Sequence, residues 1–152
     1  MAKDLDTQQV ELIGTAALEA ELIRQGFEVA RPRRDRGVDL IVYSDAPDRP
    51  FAAVPIQVKA ASEKTFGVFK KYEKFKNMVM VNIWHAISAK PRFILMTYEE
   101  ALTFVPDLGG HSWTNNHCYT WSYIPKSLEE KLVRYEDRWD LLRTLLQQET
   151  KV

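Results

Sequence analysis

The chain has 152 residues, of which 45% are hydrophobic and 28% charged, a size and composition that fit one globular domain with a substantial core. Four Trp, six Tyr and seven Phe exclude intrinsic disorder, and the single cysteine, Cys118, excludes an internal disulfide and a four-cysteine zinc site. The formal net charge is zero, from 21 basic and 21 acidic residues, which argues against a protein that coats nucleic acid through bulk charge.

The first half of the chain predicts one helix followed by three strands. Residues 7–25 are rich in helix formers and end at Gly26, which predicts a helix. Strands are predicted at 27–31, 38–43 and 54–60, separated by the basic turn RPRRDRG and the polar connection SDAPDRPFAA. The basic and aromatic segment that follows, SEKTFGVFKKYEKFKN, fits either a short strand or a helix.

The second half predicts strands at 78–87 and 91–98, then a short helix at 99–105. Residues 106–125 read as an aromatic loop, and a terminal helix is predicted from Ser127 onward. This order predicts one α/β domain over residues 1–152, in which 106–152 form a C-terminal aromatic loop and helix. The chain has no apolar run of membrane-spanning length and its first residues lack the layout of a signal peptide, so we expect a cytoplasmic protein.

Strand alternation brings three polar residues to one side of the predicted sheet. Asp39 falls on the face opposite Val38 and Leu40, and Gln57 and Lys59 share one face of the next strand. Polar groups in the middle of an apolar sheet cost free energy unless they have partners. Two explanations are open at this point: an ion pair between Asp39 and Lys59 on a half-solvated face, or a functional site.

The local sequence around these residues also resembles a known family. Gly37-Val38-Asp39-Leu40 is followed by Gln57-Val58-Lys59, with 17 residues (40 to 56) between Asp39 and Gln57. This resembles the PD-(D/E)xK nuclease superfamily, in which a helix bearing Glu precedes a β-meander carrying Asp and then Glu-x-Lys or Gln-x-Lys. The likeness covers about residues 7–96 and is nearest to Holliday-junction resolvases, Mrr-type restriction enzymes and small intron-encoded homing endonucleases.

The resemblance implies both a fold and an activity. The fold would be a restriction-endonuclease-like α/β core of the αβββαβ type, with a central mixed sheet flanked by helices. The activity would be metal-dependent hydrolysis of phosphodiester bonds in DNA. Mg²⁺, or Mn²⁺, would be held by Asp39, the side-chain oxygen of Gln57, the main-chain carbonyl of Val58 and one helix carboxylate. Lys59 would hold or activate the attacking water and offset negative charge.

The identity of the helix carboxylate stays open. The position that corresponds to the family's Glu is Thr15 here, and the two candidates, Glu11 and Glu19, lie one helical turn to either side. Both could serve as catalytic and metal-binding residues, and both could be solvated carboxylates on the helix surface. Rough helix and strand lengths put the part of the helix level with Asp39 near residues 15–17, slightly nearer Glu19.

Two basic blocks predict a DNA-binding surface beside this site. Each block could also be ordinary solvated surface, but together they can make one positive face in a neutral protein. The residues expected to contact DNA are Arg31, Arg33, Arg34, Arg36, Lys70, Lys71 and Lys74.

The same sequence is compatible with two other functions and favours self-association. A catalytically inactive nucleic-acid-binding protein of nuclease descent is the first alternative, and a structural or interaction protein that keeps the fold for packing is the second. Cleavage of both strands of a duplex needs two active sites or one that reorients, which favours a homodimer or higher homo-oligomer. The segment from Asp107 to Leu146 is expected to contribute, because aromatic residues are enriched at interfaces.

Overall fold

The computed structural model describes residues 4–104, 118–121 and 123–148. Its helices and strands are α1 (Thr7–Arg24), β1 (Glu28–Ala30), β2 (Leu40–Ser44), β3 (Ala52–Ala60), β4 (Phe66–Phe69), β5 (Val79–Trp84), β6 (Arg92–Thr97), α2 (Tyr98–Leu102), β7 (Cys118–Trp121), α3 (Lys126–Leu132) and α4 (Trp139–Gln148). A 3-10 helix covers Lys70–Lys74 and a single 3-10 turn covers Val133–Tyr135.

Five strands form a mixed sheet in the order β1-β2-β3-β5-β6. β3 and β5 run parallel, and the other neighbouring pairs are antiparallel. The crossover between β3 and β5 contains β4 and the 3-10 helix, so the segment that could have been a strand or a helix contains one of each kind. The prediction of a mixed sheet flanked by helices is confirmed, although this crossover has no α-helix.

The sheet has an apolar cluster on each face. On one face, α1 and α4 contribute residues such as Leu18 and Leu142, which pack against Ile56 and Val81 of the sheet. A second cluster on the other face joins sheet residues to β4, α2 and α3. β3 contributes its even-numbered apolar residues to the first cluster, and the second cluster lies over β5 and β6. A buried polar side chain on β3, such as that of Gln57, needs a partner. Within the described residues, no helix is long and apolar enough to cross a membrane.

The C-terminal third differs from its predicted form. β7 lies in a stretch predicted as loop, and it pairs with β4 in a separate two-stranded sheet. The predicted terminal helix is two helices, because the chain crosses β6 between them, where Glu136 bridges to Ile94 and the Asp137 N–H donates to the Phe93 carbonyl. Residues 106–117 and 122 of the predicted aromatic loop lie outside the described part of the chain.

The close packing of α1 on the sheet depends on Gly14. A Cβ at this position would lie 2.7 Å from the Cβ of Ala60 and 3.3 Å from the Cβ of Ala86. Both neighbours are fixed to the backbone, so the helix would have to shift.

We expect Gly14→Ala to destabilise the protein by about 1–2 kcal/mol, because an overpacking cost of about 2–3 kcal/mol exceeds the gain of about 1 kcal/mol in helix propensity. Urea unfolding measures this change. Ala16→Gly, at an exposed position of the same helix, is the control for propensity alone and should cost only about 1 kcal/mol. A Gly14→Ala protein as stable as the parent would contradict the packing that we describe.

Candidate active site

The candidate site lies where β2 and β3 part. Their ladder ends at the pair Leu40 and Ile56, so β2 provides no partner for Val58. The Asp39 carboxylate takes that place, and its Oδ2 accepts a hydrogen bond of 2.6 Å from the Val58 N–H. The end of the ladder therefore fixes a carboxylate at the open edge of β3.

Gln57 and the Val58 carbonyl lie beside this carboxylate. The Gln57 side chain is 8% exposed, and its Nε2 donates to the Val58 carbonyl oxygen over 2.9 Å. A hydrogen bond also joins Gln57 to the hydroxyl of Tyr72. Burial raises the pKa of Tyr72 to about 12, and the charges of Asp39 and Asp35 add to the rise. Tyr72 therefore stays protonated at neutral pH, and its hydroxyl and the Val58 carbonyl are both partners of the Gln57 side chain.

Gly37 allows Asp39 to take its position. Its φ is +101°, a conformation that other residues rarely adopt, and a Cβ there would lie 2.9 Å from the Tyr72 ring.

The expectation that Val38 and Leu40 share one face is wrong. Val38 packs with the second apolar cluster, whereas Leu40 belongs to the first. The alternation of β2 does not extend to Val38, because residues 37–39 precede the strand.

Lys59 follows two residues along β3, on the same face as Gln57. Its Nζ lies 5.7 Å from the centre of the Phe69 ring. Its neighbour in β5 is Asn82, which is 2% exposed and accepts a hydrogen bond from the Gly67 N–H. Phe69 and Asn82 thus border the lysine, and Asn82 also ties β4 to the main sheet.

The two candidate helix carboxylates have different surroundings. Glu11 is exposed and lines a cleft of about 290 Å³ together with Asp39 and Asp35. Glu19 forms a paired ion bridge with Arg31, with both N–O distances 2.6 Å, and this arginine lowers the pKa of Glu19. The structure therefore brings Glu11 to Asp39, and it places Glu19 against Arg31.

The Asp39 carboxyl titrates abnormally. Burial raises its pKa to about 6, against the effect of the Val58 N–H, and the charges of Asp35 and Glu11 raise it further. The positive charge of Lys71 acts in the opposite direction. Three acidic side chains around one cleft favour either a bound proton or a bound cation.

The donors around the cleft fit a hard cation such as Mg²⁺. The Gln57 amide group and the Val58 carbonyl lie 2.9 Å apart, close to the separation of about 3 Å expected between adjacent oxygens around Mg²⁺ with bonds of about 2.1 Å. Rotation of the amide by half a turn would present its oxygen. Among the described residues, no three His, Cys, Asp or Glu side chains form a metal-binding group. An ion here would therefore depend on amide and main-chain oxygens as well as on Asp39 and Glu11.

The predicted DNA-contacting residues are mostly exposed around this cleft. Arg34, Arg36 and Lys74 border a neighbouring hollow, and Lys71 is close enough to affect the Asp39 carboxyl. Arg31 is engaged by Glu19 and lines the cleft itself. Arg33 is exposed in the same turn, and Lys70 is half-buried at the start of the 3-10 helix.

The sequence did not predict that Tyr72 and Asn82 lie at the site. Tyr72 lies in a 3-10 helix whose position against β3 has no periodic signal, and Asn82 lies in a strand that otherwise reads as apolar. A polar residue within an apolar strand was the available signal for Asn82, since a buried amide needs a partner.

The raised pKa of Asp39 predicts a stability effect in the metal-free protein. In the unfolded chain this carboxyl ionises near pH 3.8, and in the folded protein it ionises near pH 6. The folded state loses stability as pH rises between these values, by about 1.4 kcal/mol per pH unit and so by up to about 3 kcal/mol. We expect Asp39→Asn to be more stable than the parent by about 1–3 kcal/mol at pH 8 in EDTA, with no such gain near pH 3.8.

Denaturant unfolding at the two pH values measures the difference, and Asp45→Asn, at an exposed position after β2, is the control. A gain of the same size at both pH values would show that ionisation of Asp39 is not its cause.

The fold is thus a mixed α/β sheet with its candidate site at the parting of two antiparallel strands. A solved structure with a similar fold is the bacterial homing endonuclease I-Ssp6803I, with a TM-score of 0.57 and 16% sequence identity over 96% of this chain and 100% of that one. At this identity the similarity shows the fold alone. No protein-family model matches the chain, and no curated protein does.

Proposed function

We propose that the protein is a metal-dependent DNA endonuclease of the PD-(D/E)xK type. The observation that carries the proposal is the convergence of the Asp39 carboxylate, the Gln57 amide and the Val58 carbonyl at the open edge of β3, with Lys59 next on the same face. The fold shared with a bacterial homing endonuclease supports it. Exposed arginines and lysines around the cleft suit a polyanionic substrate.

Each residue has a defined task in this proposal. Asp39, Gln57, the Val58 carbonyl and Glu11 would hold Mg²⁺ or Mn²⁺. When bound, the ion would lower the pKa of a coordinated water and offset charge on the phosphate. Lys59 would orient the attacking water and stabilise the negative charge that develops as the new P–O bond forms and the P–O bond to the leaving group breaks.

The surroundings of Asp39 support a functional role for its carboxylate. The Asp39 carboxylate accepts from the Val58 N–H, and Lys59 packs against the Phe69 ring. The charges of Asp35 and Glu11 raise the pKa of Asp39, and the charge of Lys71 lowers it. The arrangement leaves Asp39 among acidic neighbours, a costly state for a role in stability alone.

Cleavage assays test the proposal. The protein is incubated with linear, supercoiled and branched DNA in Mg²⁺, in Mn²⁺ and in EDTA, beside its Asp39→Asn variant. We expect cleavage of at least one of these DNAs by the parent with either metal, none in EDTA and none by the variant. DNA binding without cleavage of any of them would instead favour an inactive nucleic-acid-binding protein of nuclease descent.

Salt dependence tests the predicted DNA surface. Each phosphate that a cation neutralises releases counterions, so the logarithm of affinity falls linearly with the logarithm of salt concentration. We expect Arg36→Gln to reduce the magnitude of this slope by about 0.9, and Lys90→Gln, in the β5–β6 connection, to leave it unchanged. Fluorescence anisotropy over a salt series measures both, and equal slopes for all three proteins would exclude Arg36 from the contact surface.

Self-association remains a separate proposal. The described residues of the segment 107–146 include Leu128, Leu132 and Leu142, which are buried within one copy of the chain. A homodimer would therefore use exposed residues of this segment or other surfaces. Light scattering of the protein with and without DNA determines the number of copies.

A further inference from the structure

A half-exposed apolar face extends from the candidate site along β2 and β3. Ile41 pairs with Pro55 and Tyr43 pairs with Ala53, and all four are partly exposed. These odd-numbered positions share the face of Gln57, because side chains alternate along a strand. The second apolar cluster, which covers this face of β5 and β6, includes none of these four residues.

Basic residues border this face where it meets the site. Ile41, Ala53 and Pro55 line a hollow of about 520 Å³, which Arg34, Arg36 and Lys74 also line. The three basic residues are exposed. The hollow thus combines an apolar floor with concentrated positive charge. A ligand that fits it should have flat apolar parts joined by negative groups.

An aromatic pair lies at the far end of the same face. The rings of Tyr43 and Phe51 are stacked, with centres 5.8 Å apart and planes 29° apart. Phe51 is 68% exposed, so much of its ring is accessible to a ligand. From Pro55 to Phe51 the face is about 13 Å long at about 3.3 Å per strand residue, enough for roughly two to four bases at a stacked spacing of 3.4 Å.

We propose that this face binds an unpaired stretch of DNA next to the phosphate that is cleaved, so that the substrate is DNA with a single-stranded part. This rests on the proposed nuclease function. Unpaired bases expose the faces that stack on aromatic rings, and their phosphates would meet Arg34, Arg36 and Lys74. A fully paired duplex hides its base faces and would engage only the charges.

The charges also disfavour a second copy of the chain as the occupant. A twofold contact centred on the hollow would bring the same surface from each copy together. Arg34, Arg36 and Lys74 would then face their own counterparts, at a cost from like charges. Negative phosphates match this border, and a second copy of the same border does not.

Binding measurements in EDTA test the proposal without cleavage. Anisotropy compares a short blunt duplex with the same duplex carrying an oligothymidine tail. We expect the tailed DNA to bind about tenfold more tightly, since one stacked base is worth about 1–3 kcal/mol. Phe51→Ala should remove most of this preference and leave blunt-duplex affinity unchanged, and Ile23→Ala, at a 64% exposed position of α1, should change neither.

The outcomes separate this proposal from the nuclease function. Equal affinity for the two DNAs, or an unchanged preference in Phe51→Ala, would overturn it, even if the protein cleaves DNA. A Phe51→Ala variant that loses self-association in light scattering but keeps the tail preference would assign the face to a second copy. A preference that depends on Phe51 in a protein that cleaves nothing in Mg²⁺ would support the binding face and overturn the nuclease function.

Discussion

Replacing Lys59 by Met should lower the rate of DNA cleavage by about 10²- to 10³-fold, the usual cost of removing one group that stabilises charge in a transition state. Methionine keeps an unbranched apolar side chain to pack against Phe69, which the Lys59 Nζ approaches to 5.7 Å, and it removes the charge. Lys59 is proposed to stabilise charge that develops only in the transition state. Its replacement should therefore leave DNA affinity in EDTA within about twofold of the parent.

The matched control for this change is Lys90→Met, at an exposed lysine in the β5–β6 connection. It removes the same charge from the protein and should cleave DNA at the parent rate. Single-turnover cleavage and anisotropy on the same DNA separate the two effects. If Lys59→Met cleaves as fast as Lys90→Met, Lys59 has no part in the reaction and the assignment of the site is wrong.

Glu11→Gln should weaken metal binding and DNA cleavage, whereas Glu19→Gln should leave cleavage unchanged. Glu11 shares the cleft with Asp39, so its neutralisation removes one of the two carboxylates proposed to hold the metal. We expect metal affinity to fall at least about tenfold, with cleavage at subsaturating metal falling accordingly. Glu19→Gln breaks the exposed pair with Arg31, which is worth at most about 1 kcal/mol of stability, and should leave cleavage unchanged.

The pKa of Asp39 provides a second measurement that distinguishes the two variants. Because the charge of Glu11 raises the pKa of Asp39, Glu11→Gln should lower the pKa, and Glu19→Gln should leave it unchanged. Carboxyl-detected NMR titration of the metal-free proteins measures this. Loss of cleavage in Glu19→Gln, with Glu11→Gln fully active, would identify Glu19 as the helix carboxylate and would require α1 to rotate about its axis.

The sequence predicts the parts of the fold that local patterns govern. The composition of 7–25 predicts α1, and alternation within β3 predicts that Gln57 and Lys59 share a face. The choice between Glu11 and Glu19 could not be made in this way, because both lie one turn from the expected position. It depends on the angle at which α1 lies on the sheet and on an ion pair with Arg31, 12 residues away from Glu19 in the sequence.

The missed elements share one physical cause, which is that distant partners stabilise them. β7 exists as a strand because β4 pairs with it across about 50 residues of chain, and neither strand has a strong pattern of its own. Tyr72 reaches Gln57 only because the crossover between β3 and β5 packs on one face of the sheet. The break between α3 and α4 depends in the same way on contacts with β6.

The most direct test of the central claim is to locate the metal. Crystals grown with Mn²⁺ give anomalous diffraction that marks the ion. We expect one peak at about 2.1–2.2 Å from oxygens of Asp39, the Gln57 side chain and the Val58 main chain, with Glu11 bound directly or through water. Crystals of Asp39→Asn should lack this peak. A protein that cleaves DNA in Mn²⁺ while its crystals show the ion elsewhere, or no ion at Asp39, would contradict the site.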